Sequence, residues 1–338
     1  MEPPPESLIQ KADSGDIEAL YQLAFHLHAY SEASHAFSRC QSAVNAGHPW
    51  ATVFLAELLL EERRDEQLVV QSLQRASKLG LTPAQVQLAV CLLMGTGGQT
   101  NKPEACSLFR EVANRVFVAK AALGWCYLAS QGVSQDLKMA CDQFEAAARS
   151  CTTSEPALAE NLQSLSGALR QPGSILSSLN LQRLPLVHVP ADFATRLPAL
   201  RSLHLRACKL QSVPSSLFTH TAIELLDLSS NYLDSLPDVK WVPDRPCKLS
   251  SLSLAKNSFR KLPIWLSACS SLTELDVSNN QLTSLDDSLC DLDKLGTVNL
   301  SYNLLQSCPQ VLSLLSALER INLRGNQLTE VAKELGLL

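Results

Sequence analysis

The chain has 338 residues, 46% hydrophobic and 18% charged, which is enough apolar material for more than one core and excludes a disordered tail. Lys/Arg and Asp/Glu number 13 and 18 up to Arg170 and 15 and 15 after it, so the halves carry −5 and 0, and neither has the basic surplus of a nucleic-acid binder. No stretch approaches the roughly 18 uncharged apolar residues that span a bilayer, and the opening MEPPPESLIQ lacks the basic and apolar segments of a secretory signal, so no membrane insertion is expected.

Aromatic residues make up only 5%, and Leu and Ala fill most apolar positions, a bias that suits repeated layers better than one irregular core. After a flexible start over 1–14, the pattern Ala-x-x-x-Leu-(Ala/Gly) recurs at Ala19–Ala24, Ala51–Ala56, Ala84–Ala89 and Ala119–Gly124, with spacings of 32, 33 and 35. Small residues at i and i+5 beside a Leu at i+4 let one helix sit close against the next, so residues 15–170 read as a stack of helix pairs. The best-matched pair of repeats is shifted by 35: Gly97, Asn101, Ala105, Cys106, Phe109 and Ala113 correspond to Gly132, Asp136, Ala140, Cys141, Phe144 and Ala148. The glycine ends one helix, Asn101 or Asp136 accepts hydrogen bonds at the start of the next, and Ala, Phe and Ala at four-residue steps form its buried stripe.

These residues resemble the SEL-one-like repeat family, relatives of tetratricopeptide repeats, over roughly residues 15–150. The resemblance is specific for the last two repeats; the first two have shorter turns, around 28–35 and 61–67, without the glycine signature. It implies a superhelical groove that binds other proteins. The stretch GTGGQTNK at 95–102 is not a phosphate-binding loop, because it follows a helical pattern and Pro103 comes after its Lys.

A helical pattern over 156–169 continues the array, and Gln171-Pro172-Gly173-Ser174 is a turn that places a linker at 171–175 and the module junction near Pro172. From Leu176 to 338 the frame L-x-x-L-x-L-x-x-N/C-x-L recurs seven times, starting at Leu176, Leu200, Ile223, Leu249, Leu272, Leu295 and Leu318. The ninth position holds Leu184, Cys208, Asn231, Asn257, Asn280, Asn303 and Asn326; an amide there hydrogen-bonds backbone groups of neighbouring turns, and Leu184 breaks the rule as a capping repeat does. This frame is the leucine-rich-repeat signature. Its Val213-Pro214, Leu236-Pro237 and Leu262-Pro263 steps resemble the intracellular 23-residue class of signalling scaffolds and Roco-type kinases. Three extra residues fall at WVPDRPC, 241–247, where Trp241 reads as a lid on the convex side. The fold class is therefore a two-module repeat protein: an all-α helix-pair solenoid followed by an α/β leucine-rich-repeat horseshoe with a parallel sheet on its concave face.

The 11 Cys are scattered singly, with no pair spaced for a metal site or redox motif, and read as small buried hydrophobes of a protein in a reducing, cytoplasmic compartment. The triplet Asn299-Leu300-Ser301 lies inside a predicted strand, a poor place for a glycan.

Side chains alternate along a strand, so residues between and after the strand leucines face the concave surface. The column between the last two leucines reads Asn180, His204, Asp227, Ser253, Asp276, Asn299 and Asn322. The first turns present Arg183, Arg201, His204 and Arg206 and the middle presents Glu224, Asp227, Glu274 and Asp276. The face is polarised, and with Asn299, Tyr302 as an aromatic anchor and Arg324 it is the candidate docking surface. The bland reading of the same residues is a solvated face that keeps the sheet soluble. His204 can pair with Asp227 across adjacent strands, as a surface pair rather than a catalytic one. No G-x-S-x-G, H-E-x-x-H or C-x-x-C occurs, so no enzyme, cofactor or metal is expected. The expected function is a protein-protein interaction scaffold; the alternatives are the amino-terminal regulatory region of a larger Roco-type signalling enzyme and a ligand-sensing receptor-like protein.

Overall fold

The structure is a computed structural model that describes residues 4–29, 33–61, 65–98, 100–171, 173–219, 222–239 and 247–328. Trp241 and Pro172, read above as a lid and the junction, lie outside these. The chain forms two compact units, Met1–Ala119 with Gln131–Val133, and Lys120–Ser130 with Ser134–Leu338.

The first unit contains α1 (Glu6–Asp13), α2 (Ile17–Ala29), α3 (Ala33–Asn45), α4 (Pro49–Glu61), α5 (Glu66–Lys78), α6 (Thr82–Met94) and α7 (Lys102–Val112), each packed on the next in the chain. The small-Leu-small motif is buried throughout: Ala19, Leu23 and Ala24 on α2, Ala51, Leu55 and Ala56 on α4, and Ala84, Leu88 and Ala89 on α6. Asn101 caps α7 by accepting from Glu104 N at 3.3 Å, as the sequence pattern requires. The paired glycines have one physical role. Gly97 has φ +74°, and a Cβ there would come within 2.7 Å of the Glu66 carbonyl oxygen. Gly132, with φ +75°, lies in the same way against the Lys102 carbonyl. Only a residue without Cβ allows both the left-handed turn and the close approach. Gly97 N also donates to the Glu66 carboxylate at 3.0 Å, so an acid occupies the place a phosphate would need.

The second unit begins with residues 120–129 of α8 (Phe117–Ala129), then α9 (Leu137–Cys151) and α10 (Pro156–Arg170). Asp136 caps α9 by accepting from Met139 N at 2.9 Å. The last copy of the motif ends in Gly124 because a Cβ there would come within 2.9 Å of the Phe144 ring. Trp125, fully buried, donates from Nε1 to the His188 carbonyl at 2.5 Å and lies 5.4 Å from the Phe193 ring, which fastens α8 to the first leucine-rich coil.

Seven strands follow in chain order as one parallel sheet: β1 (Ser178–Asn180), β2 (Ser202–His204), β3 (Leu225–Asp227), β4 (Ser251–Ser253), β5 (Glu274–Asp276), β6 (Thr297–Asn299) and β7 (Arg320–Asn322). Each strand places one Leu, Val or Ile of the frame at its centre, in register from Leu179 to Ile321. The first edge is covered: α10 packs on β1, and Asn161 Oδ1 accepts from Asn180 N at 2.7 Å.

Beyond each strand the chain turns sharply. Arg183, Ala207, Ser230, Lys256, Asn279, Tyr302 and Gly325, the eighth residue of each frame, all have positive φ between 54° and 72°. The left-handed conformation costs a non-glycine residue roughly 1–2 kcal/mol, so its recurrence needs a compensating interaction. From the second coil on, the next residue supplies it. Asn280 accepts from Phe259 N at 3.0 Å and donates to the carbonyls of Leu254, Val277 and Ser278 at 3.0–3.2 Å. Asn231, Asn257, Asn303 and Asn326 make the equivalent bonds. In the second coil the Cys208 thiol substitutes, donating to the Leu181 carbonyl at 3.1 Å.

The cysteines depart from the lone-thiol expectation. Cys247 and Cys269, 22 residues apart, are joined by a disulfide with a Cα separation of 4.8 Å. That separation is one short of the 23-residue repeat, so residues of adjacent coils meet, which a search for close pairs in sequence overlooks. Of the other nine, Cys290 and Cys308 are only half-buried. Burial pushes the Cys40 thiol up to about 12 and raises Cys208 as well.

Two outcomes are expected. Asn280→Leu lowers stability by about 1–3 kcal/mol, because it leaves Phe259 N unpaired and takes one of two donors from each of the Leu254, Val277 and Ser278 carbonyls, and an unchanged urea midpoint would refute the ladder's role. In native protein at pH 8, iodoacetamide labels Cys290 and Cys308 first, and Cys40 and Cys208 only after unfolding, as peptide mass mapping of the adducts will show.

Candidate protein-docking face

The strands place the candidate residues on one sheet in a fixed order. Asn180, His204, Asp227, Ser253, Asp276, Asn299 and Asn322 are direct neighbours across the pairings. At about 4.8 Å per strand the column runs on the order of 29 Å. Residues two strands apart, such as Asp227 and Asp276, are therefore about 10 Å apart, and Arg183 and Tyr302, in the first and sixth coils, are about 24 Å apart. The candidates form a line and do not converge on a point.

Most of the column also serves the fold. Asp227 Oδ1 accepts from Ser229 N at 2.9 Å and Asp276 Oδ1 from Ser278 N at 3.0 Å. Asn180, Asn299 and Asn322 accept from the amide two residues on in the same way. These Asx turns pin the strand end where the backbone enters its left-handed turn. Two places on from that column, where strand alternation predicts residues on the open face, Ser229, Ser278 and Ser301 are buried instead.

Charge is arranged in pairs across strands. Arg201 Nη1 donates to Glu224 Oε1 at 2.5 Å, so the border between the basic and acidic parts is itself an ion pair, exposed enough to be worth at most about 1 kcal/mol. His204 lies 3.9 Å from Asp227 and 3.1 Å from Ser202 Oγ, which realises the expected cross-strand pair. Glu274 is exposed and accepts from Ser251 Oγ at 3.2 Å. Arg183 and Arg206 are exposed on one flank and Arg320 and Arg324 on the other, with Arg320 Nε donating to Thr297 Oγ1 at 3.3 Å. Tyr302 is 49% exposed, and its ring covers Gly325, where a Cβ would come within 2.6 Å of Cδ1. A glycine in the last coil thus makes room for the aromatic side chain of the coil before it. The sequence signal for this was the pair Tyr302 and Gly325 at one frame position.

Among the described residues no three His, Cys, Asp or Glu side chains stand close enough to share a metal ion, and no helix is long and apolar enough to cross a membrane. A cleft of about 360 Å³ opens beside the first coil, lined by Asn161, Asn180, Gln182 and Arg183 and by the first turn of α10.

Replacing Asp276 separates its two roles. Asp276→Ala is expected to lower stability by about 0.5–1.5 kcal/mol through loss of the Ser278 N acceptor, whereas Asp276→Asn, which keeps an acceptor, stays near the wild type. Equal urea midpoints for the two variants would show that the turn needs no side-chain acceptor.

Residues 270–328 match the family model described as leucine rich repeat. Over 131 residues the chain is 33% identical to the volume-regulated anion channel subunit LRRC8E of Homo sapiens, a match covering 37% of this chain and 16% of that protein. Over 126 residues it is 34% identical to Ras guanine nucleotide exchange factor V of Dictyostelium discoideum, covering 34% of this chain and 6% of that protein. The chain thus spans under a fifth of the length of these curated relatives. Among solved structures, a Sel1 repeat protein from Oxalobacter formigenes is 18% identical with a TM-score of 0.41, covering 46% of this chain and 64% of that one. The chain joins a stack of helix pairs, similar in residue pattern to Sel1-like repeats, to stacked leucine-rich coils, and such repeat folds are typical of protein-interaction modules and typically non-enzymatic.

Proposed function

We propose that this protein is a non-enzymatic scaffold that holds a partner protein on the open face of its seven-stranded sheet. The observation that carries the reading is the in-register polar face itself. Exposed Arg183 and Arg206, the Arg201–Glu224 and His204–Asp227 pairs, and exposed Glu274 pass from basic to acidic across successive strands. Such a gradient orients a partner of complementary charge, and Tyr302 offers a rigid aromatic contact beyond it. A face about 29 Å long suits an extended protein surface better than a small substrate.

The geometry dictates which residues to change. Asp227 and Asp276 hold their own strand ends, so reversing them confounds binding with folding. Arg206→Glu with Glu274→Arg reverses both ends of the gradient at exposed positions. The expected result of affinity capture from cytosolic extract, quantified by mass spectrometry, is that this double variant loses a partner that a Lys294→Glu control outside the strands retains. A partner list unchanged by the double variant would remove the sheet face from the function.

A second reading is the amino-terminal regulatory region of a larger signalling enzyme. It draws support from the match to a Ras guanine nucleotide exchange factor of which the chain covers only 6%. Transcript sequence beyond Leu338 separates the two readings, by a stop codon or by continuation into a catalytic domain.

A further inference from the structure

The first unit exposes large aromatic side chains where a stack of helix pairs would ordinarily keep polar ones: Phe25 is 57% and Trp50 46% exposed. Tyr21 and Phe25 are one turn apart on α2, and Trp50 and Phe54 one turn apart on α4. Phe54 joins the two helices, its ring 5.6 Å from that of Phe25 and edge-on to Tyr21 at 6.2 Å. The Tyr21, Phe25 and Phe54 rings therefore form one cluster, with Phe25 its exposed member and Trp50 exposed one turn before Phe54.

Carboxylates flank this cluster and are held in place. His48 stacks on Tyr21 at 4.5 Å, and its Nδ1 accepts from Ala51 N at 3.1 Å. The ring proton is thus on Nε2, which donates to Glu18 at 3.0 Å. Hydrogen bonds from His48 and Gln22 hold the Glu18 carboxyl below the usual carboxylate range, so it is anionic at neutral pH. Glu57, one further turn along the face of α4 that carries Phe54, accepts from Gln87 Nε2 at 2.9 Å. Burial raises the Tyr21 hydroxyl, and the charges of Glu57, Cys40 and Glu18 raise it further. The cation of the neighbouring α3, Arg39, is already paired with Asp13 at 2.8 Å.

An aromatic face within the field of two fixed carboxylates attracts a cation twice, through the ring quadrupole and through charge. A purely apolar partner would leave the acids desolvated, and an acidic one would be repelled. The residues up to Arg170 carry 13 Lys/Arg against 18 Asp/Glu, so the surrounding field has the same sign. We propose that this face of α2 and α4 docks a segment of a partner protein that carries a lysine or arginine flanked by apolar side chains, the cation lying over the exposed Phe25 ring within the field of Glu18 and Glu57. The surface belongs to the helical unit and is independent of the sheet face proposed above.

The test is to pan a random dodecapeptide phage library on the immobilised full chain and measure the consensus peptide by fluorescence anisotropy. The expected consensus contains Lys or Arg beside Leu, Ile, Phe or Trp. It should bind Phe25→Ser and Glu57→Gln about tenfold more weakly, with circular dichroism unchanged, and Glu274→Arg as well as the wild type. An acidic or uncharged consensus, no enrichment, or undiminished binding by both the Phe25→Ser and Glu57→Gln proteins would overturn the proposal. Binding lost only in Glu274→Arg would overturn it too, by moving the site to the sheet.

Discussion

Every turn of a leucine-rich coil leaves backbone N–H and C=O groups inside the arc with no strand to pair with, and the asparagine ladder is what satisfies them. One amide closes the amide N–H of the preceding coil and up to three carbonyls, as Asn280 does with Phe259, Leu254, Val277 and Ser278. The left-handed residue before it is the backbone condition for that reach, which explains why Ser230, Lys256, Asn279 and Tyr302 tolerate a conformation that side chains disfavour. Cys208 works in the second coil because a thiol proton still reaches the Leu181 carbonyl, while Asn231 from the next coil takes the Cys208 and Leu210 amides.

A stack of coils must also end, and this one closes its first edge with helices. α10 covers β1, Asn161 accepts the Asn180 amide that a preceding strand would have taken, and Trp125 joins α8 to the His188 carbonyl and the Phe193 ring. A buried indole with its N–H satisfied combines a large apolar contact with one directional bond. The last helices of the chain's first half are thereby part of the same compact unit as the sheet.

The same regularity shapes what the sheet face can do. In-register pairing sets side chains about 4.8 Å apart in rows, so opposite charges meet across strands, as Arg201 meets Glu224, but acids and bases from distant coils never converge. The result is a graded surface rather than a reaction centre. Within it, Asp227 and Asp276 each give one oxygen to the strand end and the single Oδ1 of Asn299 is taken by Ser301, whereas Arg206 and Glu274 stand exposed.

Periodicity made much of this legible from residues alone. The frame starting at Leu176 predicts each strand, the ladder from Cys208 to Asn326 and the order of the face, because a fixed repeat with period-two alternation leaves little choice of register. The paired Gly97 and Gly132 and the caps Asn101 and Asp136 were likewise readable, since their cause lies in local backbone geometry. What only the tertiary structure decided were contacts between residues far apart in the chain: Trp125 with His188, the disulfide of Cys247 and Cys269, the burial of Ser229 and Ser278, and the meeting of Tyr21, Phe25 and Phe54 within the field of Glu18 and Glu57. None of these follows from a repeat, because a repeat specifies what each turn has in common, whereas docking surfaces and caps arise where individual turns differ and the packing of particular side chains chooses among equally periodic arrangements.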